Sequence, residues 1–149
     1  MELSPDFKEL LRLFNSNHVE YLVVGGYALA WLGAPRFTGD LDLYIKPSEQ
    51  NARGVLAALS VFGFAESGLR HEDFVAPGRI LRLGVPPGRV DILTSIDGVT
   101  WEDAWAGRES GHYGDTPVSY IGKSQFIANK RAMGRHKDLA DIEALQTQT

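Results

Sequence analysis

The stretch that most constrains this chain is Val23-Val24-Gly25-Gly26 followed, after thirteen residues, by Asp40-Leu41-Asp42-Leu43. Alternate residues of a strand share a face, so Asp40 and Asp42 project to one side while Leu41, Leu43 and Ile45 turn to the core. Two carboxylates on one face of an otherwise apolar strand repel each other, and the fold must compensate. A divalent cation does this directly: Mg²⁺ takes oxygen ligands, typically one or two carboxylates plus substrate phosphates. Val90-Asp91-Ile92-Leu93 repeats the theme, an apolar strand with one inward acid. Laid beside the first strand, it brings three carboxylates to one point, a site able to hold two metals that activate a hydroxyl and steady a leaving pyrophosphate. An Asp-x-Asp pair alone equally fits a strand whose second face meets water, with Asp91 merely ending a hairpin strand.

The glycine pair changes that weighting. Tyr21 to Val24 is a short β-rich run, and Gly25-Gly26 stands where it hands over to a small-residue helix, Tyr27 to Leu32. Backbone N–H groups there can hold an anion without side-chain obstruction. Phosphate at the turn and metal at the carboxylates are the two needs of a bound nucleoside triphosphate.

The rest of the chain reads as a mixed sheet with helical cover, α/β or α+β. Ser4-Pro5-Asp6 opens an amphipathic helix over 5–16, with Phe7, Leu10, Leu11 and Phe14 at helical spacing. A loop, Gly33 to Thr38, leads into the strand Asp40 to Ile45. Ser48 caps a second long helix through about Phe62, ended by Gly63. Ile80 to Val85 and Arg89 to Leu93 flank Pro86-Pro87-Gly88, a hairpin by its turn residues. Thr100 caps a short helix, Trp101 to Gly107, and Pro117 to Ile121 is a further strand. Two helices, Ser124 to Met133 and His136 to Gln146, close the chain around Gly134.

Composition sets the outer bounds. A chain of 149 residues has the size of one domain. The net charge of -4 supplies no global pull toward nucleic acid, so a polyanion must be met by a local basic patch. The absence of cysteine removes disulfides, thiolate metal sites and cysteine nucleophiles together. No apolar run approaches membrane-spanning length and no signal peptide opens the chain, so a cytoplasmic protein without a membrane partner is expected. The four histidines lack metal-ligand spacing, and Ser95 and Thr94 lack a nearby base. Gly122-Lys123-Ser124 is a helix start and not a P-loop, because position 117 is proline. Trp101 and Trp105, four apart on one short helix, are expected in the core rather than as a base-stacking platform.

The segment Gly25-Gly26 … Arg36-Phe37-Thr38-Gly39-Asp40-Leu41-Asp42-Leu43 resembles the signature of the nucleotidyltransferase superfamily, the polymerase-beta-like fold. Gly26 stands where many members carry serine. The closer likeness is to small bacterial nucleotidyltransferase-like proteins, including those of toxin–antitoxin and abortive-infection systems. In them Arg-x-Thr precedes Asp-x-Asp, and a C-terminal basic helix with Asp-x-x-Asp closes the domain. Lys130-Arg131-Ala132-Met133-Gly134-Arg135-His136-Lys137-Asp138-Leu139-Ala140-Asp141 supplies that second motif.

The resemblance implies an enzyme moving a nucleotidyl group from an NTP to a hydroxyl, with Mg²⁺ or Mn²⁺. Asp40, Asp42 and Asp91 would bind metal, Asp91 would also take the acceptor proton, and Gly25 and Gly26 would cradle phosphates. Lys123, Lys130, Arg131, Arg135, His136 and Lys137 form the dense basic cluster. Of these, Lys130 and Arg135 are assigned to the triphosphate, with Arg36 and Thr38 on the loop before Asp40. Arg131 and His136 are read as solvated. The acceptor is open among RNA, a small molecule and a partner protein encoded next door. Two rivals share the carboxylates: a catalytically silent module binding a partner protein or nucleotide, and a metal-dependent phosphohydrolase that would not need the glycine turn.

Overall fold

The computed structural model describes residues 3–85 and 88–147. Helix α1 (Pro5–Ser16) starts at Ser4, whose hydroxyl accepts the Phe7 N–H, with Pro5 at the first helical position. It buries Phe7, Leu10, Leu11 and Phe14 and packs on α3 (Glu49–Leu59). Strand β1 (Tyr21–Val24) runs directly into α2 (Gly25–Trp31), and β2 (Leu41–Ile45) follows the loop. Ser48 caps α3, accepting the Asn51 N–H. That helix ends at Leu59, short of Phe62, and its chain widens into a π-helical turn over Ser60–Phe64, where Gly63 takes φ 129°.

Strands β3 (Ile80–Leu83) and β4 (Val90–Leu93) form the expected antiparallel pair, with Leu83 opposite Val90. Pro86 and Pro87 of the expected turn lie outside the described residues. Thr100 caps α4 (Trp101–Ala106). Strand β5 (Glu109–Tyr113), which the sequence does not announce, pairs with β6 (Thr116–Tyr120). Helices α5 (Lys123–Met133) and α6 (His136–Gln146) meet at Gly134, which holds the left-handed conformation at φ 67° that glycine adopts without strain.

The six strands among the described residues lie in the order β3-β4-β2-β1-β6-β5. The inner contacts β2–β4 and β1–β6 are parallel; β1–β2 and both outer pairs are antiparallel. Along β2, Leu41, Leu43 and Ile45 are fully buried on one face. Asp42 and Tyr44 occupy the other, where Tyr44 meets Trp101 edge-on at 5.0 Å. Trp101 in turn stacks on Trp105 at 5.3 Å, so this pair serves packing. No helix among the described residues is long and apolar enough to cross a membrane.

Candidate active site

The sheet register sets the site. Val24, Asp42 and Asp91 are cross-strand neighbours on β1, β2 and β4, and Arg82 of β3 faces Asp91 from the outer side. Directly opposed residues of adjacent strands have their Cβ atoms roughly 5 Å apart, so Asp42 and Asp91 stand side by side. Asp40 is one residue before β2, on the same face as Asp42.

Asp42 pays for this neighbourhood electrostatically. Burial pushes its carboxyl from 3.8 to about 7, reinforced by the charges of Asp91 and Asp40 and by a hydrogen bond shared with Asp91. Lys130 opposes the shift. An acid with this pKa next to an ionisable partner is characteristic of functional clefts.

The glycine turn fits against these acids. Gly25 takes φ 69°, and a Cβ there would overlap the Asp42 carboxylate. Gly26 faces Thr38: a Cβ on residue 26 would stand 2.7 Å from Thr38 Cβ and 2.8 Å from its Oγ1. Serine at 26 therefore has no room unless Thr38 moves, and the Thr38 hydroxyl already occupies that space. Oγ1 donates to the Asp40 carbonyl at 3.2 Å, which ties the loop to the start of β2.

Near the acids lies the C-terminal motif. Asp138 is fully buried and receives Arg135 twice, from Nε at 2.6 Å and Nη2 at 3.2 Å, besides the Arg135 backbone N–H at 3.1 Å. Lys130 Nζ, itself buried, lies 3.5 Å from Asp138 and 3.6 Å from Asp141. Arg36 forks onto Asp141 with bonds of 3.1 and 3.2 Å. Both carboxylates are buried and fix these cations in place. Arg131 and His136 are exposed and outside the cavity, as is Lys123.

Both groups line one cavity of about 450 Å³. Its wall includes Gly25, Gly26, Arg36, Thr38, Asp40, Asp42, Asp91, Lys130 and Arg135, with Lys137 of the basic cluster and three residues the sequence did not single out: Arg82, Arg89 and Asn129. Arg89 is the most consequential of these. Its backbone N–H donates to Asp40 Oδ1 at 3.1 Å and its Nη2 to Asp91 Oδ2 at 3.0 Å. Strand alternation carried the signal, since Arg89 and Asp91 are two apart and share a face.

The acids fit a divalent cation in donor chemistry: all ligating atoms are carboxylate oxygens, and Asp91 Oδ1 is buried without a hydrogen bond. Among the described residues no set of three acidic or histidine side chains is grouped to hold an ion. Asp42 and Asp91 form a pair, and Asp40 is joined to Asp91 through Arg89. All three acids line one cavity: Asp91 and Asp40 both act on Asp42, and Arg89 bridges Asp40 to Asp91.

No family model matches the chain, and no curated protein matches it. Several solved structures resemble it, two of them as follows. One is a lincosamide antibiotic adenylyltransferase, LnuA, with lincomycin bound: TM-score 0.59, 16% identity, all of both chains covered. The other is an antigenic nucleotidyltransferase-like protein from Paracoccidioides brasiliensis, with a TM-score of 0.55 and 21% identity over 96% of this chain and 77% of that one. At these identities the likeness speaks to architecture, and the chain has the nucleotidyltransferase-like fold.

Proposed function

We propose that this protein is a metal-dependent nucleotidyltransferase that moves an NMP from an NTP to an acceptor hydroxyl. The observation that carries this reading is the shared lining of one cavity: the Asp42–Asp91 pair borders it together with Arg36, Lys130, Arg135 and Lys137. Carboxylates and fixed cations around one cavity match the two charges of a metal–triphosphate complex.

In this reading Gly25 and Gly26, whose side-chain space is filled by Asp42 and Thr38, border the phosphate through their backbone, and Lys130 and Arg135 neutralise its oxygens, joined by Arg36. Thr38 braces the turn from the loop side. Asp42 and Asp91 would hold Mg²⁺ or Mn²⁺, which when bound supplies Lewis-acid charge to the reacting phosphate and hydroxyl. Asp91 accepts the hydroxyl proton as the acceptor oxygen bonds to the α-phosphorus, and the bond to pyrophosphate breaks. Fixing the triphosphate within one cavity provides the positioning on which such transfers depend.

The lincosamide bound by the structural neighbour makes a small hydroxylated molecule the first acceptor to test. Bulk RNA and a neighbouring-gene protein, which the toxin–antitoxin resemblance suggests, come next. The test is incubation with each α-labelled NTP and Mg²⁺ plus each acceptor class. Label appearing on one acceptor with matching pyrophosphate release is expected. No transfer and no pyrophosphate from any NTP, across all three classes, contradicts the proposal.

A further inference from the structure

Arg89 immediately precedes β4 and lies across two of the three acids. Besides the bonds to Asp40 Oδ1 and Asp91 Oδ2, its Nη2 is 3.5 Å from Asp40 Oδ2. Its guanidinium, like any arginine's, is always charged. Its seat is imperfect. Nε and Asp91 Oδ1 approach to 2.8 Å, yet each is buried and neither makes a hydrogen bond. A guanidinium is a rigid planar fork; here one prong meets its oxygen at an angle that wastes the bond. Its side chain thus holds Asp91 by one hydrogen bond, from Nη2 to Oδ2, where a bidentate fork would make two.

We propose that Arg89 is a displaceable counter-cation and a phosphate ligand: it neutralises Asp40 and Asp91 until a divalent cation held by Asp42 and Asp91 takes the Asp91 oxygens, and then pairs with the triphosphate. The inference rests on the metal–NTP reading above. A guanidinium and a divalent cation cannot share the same carboxylate lone pairs, and their charges repel. Once displaced, Arg89 stays tethered to the wall of the same cavity, which Lys130 and Arg135 also line, and phosphate oxygens there accept its fork bidentately. Metal alone must evict Arg89 without offering it a partner. Metal with triphosphate satisfies all three charges, so Arg89 couples the two binding events, and the coupling is reciprocal.

The test compares wild type, Arg89→Gln and Arg89→Lys in two titrations. The first measures Mn²⁺ alone by the loss of its free EPR signal; the second measures Mn·ATP at saturating Mn²⁺ by calorimetry. Arg89→Gln should bind Mn²⁺ alone tighter by about tenfold and Mn·ATP weaker by about tenfold, within the usual range of coupling between sites. Arg89→Lys, a charge without a fork, should fall between, and it carries the comparison if the glutamine variant does not fold. Opposite signs are the signature, because general damage to the site weakens both titrations. Two affinities that move together, or neither moving, overturn the Arg89 proposal and leave the metal–NTP reading standing. No Mn²⁺ and no Mn·ATP bound by any of the three proteins contradicts that reading itself.

Discussion

Asp42→Asn is expected to stabilise the metal-free protein above pH 7 while abolishing nucleotidyl transfer and the stabilising response to Mg²⁺. Burial and the neighbouring acids raise the Asp42 pKa to about 7, from 3.8 in an unstructured chain. The folded state therefore binds this proton more tightly than the unfolded state does. The stability it contributes is fully present below pH 4 and is lost as pH climbs toward 7. A rise of about three units sets an upper bound of about 4 kcal/mol across that window, and relaxation around the ionised pair reduces it. Asparagine cannot ionise, so the variant should lack this slope. Urea melts at pH 4.5, 6 and 8 should show near parity at the acid end and an advantage to Asp42→Asn of about 1–3 kcal/mol at pH 8. A variant weaker than wild type by about 1–3 kcal/mol at every pH would mark Asp42 as a structural hydrogen-bond acceptor.

Asp138→Ala should be the most destabilising single change at the site. Asp138 is fully buried and answers three donors at once: the Arg135 backbone N–H, the Arg135 guanidinium and the Lys130 ammonium. Removing it takes away the side-chain acceptor at the start of α6 and leaves Lys130, with 9% of its side chain exposed, dependent on Asp141 alone. Breaking a buried ion pair by deleting one partner costs about 3–5 kcal/mol. The Asp138 pKa is lowered, chiefly by its hydrogen bond to Arg135, so its contribution is present above the ordinary carboxylate range and fades on acidification. This is the reverse of Asp42. Urea melts at pH 7 and pH 3 test both points: the loss in Asp138→Ala should be large at pH 7 and shrink at pH 3. A loss below about 1 kcal/mol at pH 7 would make the network a screened surface one.

What was legible in the sequence is what periodicity carries. The run of Leu41, Leu43 and Ile45 against Asp40 and Asp42 announces both a strand and its two faces, and Ser4, Ser48 and Thr100 announce three helix starts. Strand β5 was not legible because Glu109-Ser110-Gly111-His112-Tyr113 has no apolar alternation. It is an edge strand, and its packing lies in the absence of a side chain: the Trp31 ring lies against Gly111 and stacks on Tyr120 at 4.7 Å. The burial of Asp138 and Asp141 was not legible, because charged residues are usually solvated. Their burial depends on cations brought from α5 and, across 105 residues of sequence, from the loop at Arg36. Arg89 was hidden for a similar reason. Its face could be read from Asp91, but its bridge to Asp40 requires β2 and β4 to lie side by side, and strand order is a property of the whole sheet.

The central claim is that the acidic and basic groups of one cavity together receive a metal–triphosphate complex. Isothermal titration with ATP, GTP, CTP and UTP, each in Mg²⁺ and each in EDTA, tests it most directly. At least one NTP should bind in Mg²⁺, with none bound measurably in EDTA. Equal affinity with and without metal, or no binding of any NTP in Mg²⁺, would contradict it.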